Sequence, residues 1–361
     1  MIKDFQKYKE RHLAFWALED VKHPLIGFTI GAGPDAWSYW HYNKATQSLL
    51  NRGEISPDNI NPNDFVEDQL CYLKLSKEID DDVCRSAMPL ASIPWMEAIL
   101  GCPIVSTESS FRSETITDNE DPLELTPIET DNLWLKKYFE FISVYEQAFS
   151  DKYPVSQSVL RGPSDIACAL IGAEKAAIFL LEDPERMHRI LNYAAEQLTL
   201  FLQMQIKKLP QFQDGYVIGQ YEIWTPEPPI RIQEDFSLLF SPDLYKEFLK
   251  SLDTSLATIS NYTLIHLHSS SLHLIDQFLE ISQLRSFQIT KDSNVLTLNT
   301  MLPALNKIQE AGKPLILKGQ FKKEDYDLIL NQLSFRGLCI QPVVKNLSEA
   351  NELLPLLKNY K

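Results

Sequence analysis

The chain has 361 residues, of which 44% are hydrophobic and 23% charged, with a formal net charge of −15 and a pI near 5.0. Those proportions are ordinary for a folded soluble protein and carry no excess that would keep a chain disordered. So acidic a chain lacks the clustered Lys and Arg that displace counterions from a phosphate backbone, so nucleic acid is excluded as an expected partner.

Five cysteines (Cys71, Cys84, Cys102, Cys168 and Cys339) are scattered, odd in number and never spaced CxxC. They suggest neither a disulfide framework nor a zinc ribbon, and a reducing cytoplasm is the expected compartment. The opening MIKDFQKYKERHLAFW is charged throughout, and no run approaches the ~20 apolar residues of a membrane span, so neither export nor insertion is expected.

In chain order, eight short runs have strand character: PLIGFTI (24–30), DDVCRSAM (81–88), VSQSVL (155–160), GYVIGQ (215–220), TLIHLHS (263–269), RSFQIT (285–290), PLILKGQ (314–320) and RGLCIQPV (336–343). Between them lie segments such as EKAAIFLLEDPERMHRILNYAAEQLTLFLQMQI, whose apolar residues recur every three or four positions as amphipathic helices require. Strands alternating with helices predict parallel pairing through right-handed crossovers. Eight such units without a composition break predict one domain over 1–361, a single α/β (β/α)8 TIM barrel with extra N-terminal helices. The polar stretch 51–65 and the acidic stretch 113–132 read as long surface loops.

A barrel of this kind places its chemistry where strands end, which singles out Arg161, Asp165, Gln220, Tyr221, Glu222, His266, His268, Gln288, Lys291, Lys318, Gln320 and Gln341. His266 and His268 alternate on one strand, so both rings project from the same face and can converge on one ligand. GAGPDA at 31–36 fits GxGxx(G/A), but Pro34 and the aromatics Trp37, Tyr39 and Trp40 crowd the helix that should follow. GxxxxGK[ST], GxSxG and HExxH are all missing, so neither NAD nor ATP chemistry nor serine hydrolysis is expected.

The segment RGPSDIACALIGAEKAAIFLLEDPERMHRIL resembles the Gly-Pro strand, helix and DPE helix start of the uroporphyrinogen decarboxylase superfamily. QEDFSLLFSPDLYKEFL is similar to its acidic residue before SP, CRSAMPLASIPWMEAILGCPI to its strand and "lG" segment, and IHLHSSSLHLIDQFLEI to its late HxC or HxD strand. The resemblance runs in the family's order from about residue 10 onward. It implies a single barrel with a cleft at the strand C-termini, in a superfamily of porphyrinogen decarboxylases, corrinoid-linked zinc methyltransferases and the cobalamin-independent methionine synthase.

The decarboxylases' N-terminal arginine segment, catalytic aspartate, tyrosine after Gly-Pro and late histidine have no counterparts in HPLIGFTIGAGP, MPLASIP, Ala169 and CIQPVV. Uroporphyrinogen, with eight carboxylates, would meet uncompensated repulsion, so its decarboxylation is not expected. On the methyltransferase side His266 matches the first zinc ligand and His268 replaces the second, a cysteine. The third has no cysteine equivalent, because its place falls near Val344 and Cys339 lies several residues early.

Glu222 could complete a His266, His268, Glu222 set with an open fourth position. Alternatively the histidines, with Ser269, Ser270 and Ser271, line an organic pocket by hydrogen bonding, or they are structural. The resemblance thus implies a methyltransferase moving a methyl group from a small donor to a corrinoid protein, a pterin or a thiol. Its alternatives are a non-catalytic small-molecule-binding barrel and a decarboxylase of a non-porphyrin substrate. In the first, His266 and His268, with or without zinc, hold the donor heteroatom or activate the acceptor, Glu222 or Asp235 supplies acid or base, and Arg161 anchors an anion. Tyr221 and Trp224 in a proline-stiffened loop over the mouth, with Ser269 and Gln341, complete the expected substrate contacts. A corrinoid protein is the expected macromolecular partner, and a dimer remains open.

Overall fold

The computed structural model describes residues 5–31, 44–116, 126–150 and 152–359. The strands are β1 (Leu25–Ile26), β2 (Thr29–Ile30), β3 (Gly53–Ile55), β4 (Ile104–Ser106), β5 (Phe111–Ser113), β6 (Tyr216–Ile218), β7 (Ile223–Thr225), β8 (Ile230–Gln233), β9 (Thr263–His268), β10 (Ser286–Lys291), β11 (Leu315–Gly319) and β12 (Leu338–Val344). The central sheet is parallel and runs β1-β12-β11-β10-β9-β8, with β2 continuing the β1 strand along β12.

The remaining wall is formed by two extended segments. Asp82 N donates to Ile26 O (2.7 Å), and Ala87 pairs in parallel with Val155 through Ala87 N to Pro154 O (2.9 Å) and Ser156 N to Ala87 O (2.8 Å). Arg231 of β8 then reaches Leu160 O (3.0 Å). The expected α/β barrel is therefore present, although 82–88 and 155–160 are more loosely bonded than the sheet they complete.

One expected strand is corrected. GYVIGQ is not a barrel stave: 216–218 pairs antiparallel with β7 in a two-stranded hairpin. Its place beside β9 belongs to β8, IRIQ, which follows Pro226, Pro228 and Pro229 and is not among the eight expected runs. A β-branched run between glycines looks the same whether its partner is a barrel neighbour or its own hairpin mate.

The hairpin comes off the helix Pro184–Lys208 and leads into the start of β8, so it enters the barrel from the N-terminal end. Its Ile218, Tyr221 and Ile223 pack with Phe15 and Trp16 of the helix Phe5–Ala17 and with the inward residues Leu25, Val83, Leu264, Ile316 and Cys339. Gly219 makes the insertion feasible, because a Cβ there would overlap the carbonyl oxygen of Gln157. The helix Pro184–Lys208 starts at Asp183, whose carboxylate accepts from Arg186 N (3.1 Å), with Pro184 in the first turn. It buries Met187, Ile190, Leu191, Ala194, Leu198, Phe201 and Leu202, a stripe of three-four spacing, and packs against the helices Pro163–Ile171, Ala173–Glu182 and Lys250–Ala257. Among the described residues no helix is long and apolar enough to cross a membrane.

Candidate active site

Inward positions change character along the strands. Near the N-terminal end they are apolar (Leu264, Ile316, Cys339); two residues further on they become His266, Lys318 and Gln341. His266 and His268 share the inner face of β9, with ring centroids 4.8 Å apart and nearly perpendicular. With Asp235, just past β8, they form a cluster offering one nitrogen or oxygen each, all within 4.8 Å of one another.

Each member is held from behind. His266 Nδ1 meets Gln288 Oε1 and, at 2.9 Å, the hydroxyl of Tyr221, which also accepts from Arg231 Nη2 (3.3 Å). A carbonyl oxygen on Nδ1 places the proton there and leaves the lone pair on Nε2, which is buried with no hydrogen-bond partner among the described residues. His268 Nδ1 bonds Asp292 Oδ1 (2.6 Å), while its Nε2 lies 3.8 Å from Asp235 Oδ1. Asp235 accepts from Gln233 Nε2 through Oδ2, while its Oδ1 is buried with no hydrogen-bond partner among the described residues.

Protonation follows from these contacts. Burial, then the nearby Arg231 and His268, pulls His266 well below the usual histidine pKa, so the ring is neutral. Burial also pulls His268 down, but the hydrogen bond to Asp292 and the charge of Asp235 prevail and hold it above the usual value. A neutral imidazole, an imidazole backed by a carboxylate and a carboxylate with a bare oxygen fit the donor chemistry of a divalent metal site.

Asp235 owes its position to Asp165, whose two carboxylate oxygens accept from Asp235 N and Phe236 N at 2.9 Å each. Asp165 therefore ties the loop after β8 to the helix Pro163–Ile171, beyond favouring that helix's N-terminus. Gly162 allows the approach, since a Cβ would overlap Gln233 O and the Glu234 carboxylate. Arg161 stands partly exposed beside the cluster, with Nε 3.3 Å from Glu97 Oε1. It borders a cleft of about 230 Å³ lined by Pro94, Glu97, Phe111, Val159, Gln233 and Asp235, among others.

Several expected contacts fall elsewhere. Glu222 is not in the histidine cluster; it lines a separate small pocket with Lys318, Gln220 and Gln341, on the other side of Tyr221. The carboxylate beside the histidines is Asp235, because Glu222 rides on the inserted hairpin and not on a strand end. Trp224 does not cover the mouth: it is buried on β7 at the N-terminal end, donating to Phe212 O (3.3 Å), while its backbone meets His12 and Trp16. Tyr221 is buried inside the barrel beneath His266. Ser269 turns to Asp292, donating from N (2.9 Å) and Oγ (2.7 Å), and so supports His268 indirectly. Gln341 donates to Tyr221 O (2.6 Å) and fixes the hairpin tip.

Asp292 and Gln233 were the residues missed, while Gln288, singled out at its strand end, stands behind His266. Asp292 directly follows Lys291 at the end of β10, and Gln233 ends β8, the strand absent from the expected runs. The residues 32–36 of GAGPDA lie outside the described residues.

Residues 93–213, less than half of the chain, match the family model described as uroporphyrinogen decarboxylase (URO-D). No curated protein matches the chain. Among solved structures it is similar to a methyltransferase from Methanosarcina mazei, with a TM-score of 0.67 over 98% of both chains at 13% identity. A match to a type I 3-dehydroquinate dehydratase from Clostridium difficile, 12% identical over 62% of this chain and 88% of that one, has a TM-score of 0.31 and bears on nothing here. The fold is an α/β barrel shared with that methyltransferase structure. The resemblance to the uroporphyrinogen decarboxylase superfamily carried by the sequence motifs is borne out by the family match and this fold together.

Proposed function

We propose that this barrel is a metal-dependent methyltransferase in which Asp235, His266 and His268 hold one divalent ion, with zinc the best match to the donors. The observation that carries the reading is the convergence of a buried Nε2 and a buried Oδ1, both without hydrogen-bond partners among the described residues, beside a second, carboxylate-backed imidazole. Leaving such groups unsatisfied costs about 1–3 kcal/mol each, which a ligand recovers. When bound, the ion would supply Lewis-acid activation of a thiol or donor heteroatom.

The chain's own residues do the rest. Asp292 keeps the His268 proton on Nδ1, Gln288 and Tyr221 fix the His266 ring, and Asp165 fixes Asp235. Arg161 anchors an anionic group of the substrate in the adjoining cleft. That cleft of about 230 Å³ suits a small donor rather than a tetrapyrrole, in keeping with the missing decarboxylase residues. The acceptor is a thiol, a pterin or a corrinoid protein at the mouth.

The test combines metal content with turnover. Purified protein is assayed for demethylation of a panel of small methylated acids against a thiol and against a reduced corrinoid, with and without added zinc. Zinc-dependent transfer lost in His266→Ala and His268→Ala supports the reading. A metal-free protein that transfers methyl groups, or a metal-bound one in which both variants stay active, overturns the site.

A further inference from the structure

Lys318 and Glu222 take no part in the site above, and both are buried inside the barrel, each 6% exposed. They line one pocket of about 20 Å³ with Gln220, Gln341 and Val83, bounded by Phe28, Thr29 and Ile30 at β2 and by Tyr72 of the helix Val66–Lys74. That space admits the functional-group end of a molecule and not its body. Among the described residues Lys318 forms no ion pair, and Glu222 Oε1 and Gln220 Oε1 are buried without hydrogen-bond partners.

The chain accepts strain to build this arrangement. Gln220 and Glu222 both have left-handed backbones, with φ of 69° and 60°, at a hairpin tip where neither is glycine. The tip is pinned by Cys84 N to Glu222 O (2.8 Å) and Gln341 Nε2 to Tyr221 O (2.6 Å), so the backbone that carries the carboxylate is held where it lies. A buried lysine that faces the Tyr221 ring, with Nζ 5.8 Å from its centroid, and forms no ion pair with the buried carboxylate beside it is costly for structure alone.

We infer that Lys318 is an amine nucleophile that forms an imine with the carbonyl group of small aldehydes or ketones, with Glu222 moving the protons. Lys318 Nζ as free amine adds to the carbonyl carbon, and the C=O electron pair passes to oxygen, which takes a proton from the Glu222 carboxyl group. The ammonium proton of the adduct returns to Glu222 and then to the hydroxyl, which leaves as water as the C=N bond forms. Amine, carboxylic acid and carbonyl compound thus become iminium, carboxylate and water, and the carboxylate stays beside the cation. Burial brings Lys318 down to about 8 and Glu222 up to about 8, so a neutral amine facing a protonated acid is accessible near neutrality.

The full chain is incubated at neutral pH with glyoxylate, pyruvate or acetaldehyde, cyanoborohydride being present to reduce any imine and EDTA to remove metal. Adducts are then mapped by peptide mass spectrometry. The expected result is preferential labelling of Lys318 over exposed lysines such as Lys22, with a rate about a hundredfold lower in Glu222→Gln. Recovery of Lys318 unlabelled while exposed lysines react overturns the proposal, and this reading needs no variant to fold. An unchanged rate in Glu222→Gln overturns the role of that carboxyl group. Because EDTA is present and no methyl transfer is read, the result is independent of the proposed metal chemistry.

Discussion

Asp292→Asn isolates the support behind one ligand. The Asp292 carboxylate takes three hydrogen bonds, from His268 Nδ1 (2.6 Å), Ser269 N (2.9 Å) and Ser269 Oγ (2.7 Å). These contacts outweigh its partial burial and hold it below the usual carboxylate range, so it remains a charged acceptor. Asparagine keeps one carbonyl acceptor but loses the charge that makes the His268 ring more basic. Outer carboxylates of this kind typically contribute a factor of about 10–100 in metal affinity, or about 1.4–2.7 kcal/mol. Fold stability should fall by only about 1 kcal/mol, since the Asn oxygen still serves Ser269 N. Zinc affinity is read by competition with a chromogenic chelator, and stability by urea unfolding. Equal zinc affinity in wild type and variant would refute the claim that Asp292 orients and charges a ligand; equal loss of affinity and fold would assign it to structure.

Further outcomes follow from the same contacts. Arg161→Gln should raise KM for an anionic donor about tenfold to a hundredfold with metal content unchanged; an unaltered KM removes Arg161 from substrate binding. Gly162→Ala should destabilise the fold on the order of 3 kcal/mol, because a Cβ collides with Gln233 O and the Glu234 carboxylate; a wild-type denaturation midpoint would contradict that packing. Burial raises the Asp253 carboxyl to about 7, against a contribution from its hydrogen bond with Tyr245 that lowers it. The folded state therefore binds its proton more tightly than the unfolded chain, and the stability this confers is full below about 4 and lost as pH rises through about 7. Asp253→Asn should flatten that part of the Tm-against-pH curve, and parallel curves for wild type and variant would show that Asp253 does not titrate there.

Seven of the eight barrel positions were legible as short runs of strand character, most plainly in the later staves, where a parallel strand buried on both faces is apolar in composition. The eighth was not: β8 alternates Ile230 and Ile232 with Arg231 and Gln233, and its polar half faces the interior where the hairpin brings Tyr221. Period two made the histidine pair legible, since His266 and His268 had to share a face. Its carboxylate neighbour was not settled by spacing. Asp235 and Glu222 both sit near strand ends in sequence, and only the insertion of β6 and β7 from the opposite end separates them. The support of His268 by Asp292 crosses from β9 to β10 and depends on register, which periodicity alone does not fix.

The central claim is that Asp235, His266 and His268 are ligands of one metal ion, and cobalt(II) substitution reports on it most directly. Titrating chelator-treated wild type with cobalt should give saturable binding of one ion per chain, with visible ligand-field absorption of the intensity expected for a low-coordinate nitrogen and oxygen site, abolished by zinc. Asp235→Asn, His266→Ala and His268→Ala should each lose that spectrum while keeping the wild-type far-ultraviolet circular dichroism. A wild type that shows only the weak absorption of free hexa-aquo cobalt, or variants that retain the bound spectrum, would contradict the account.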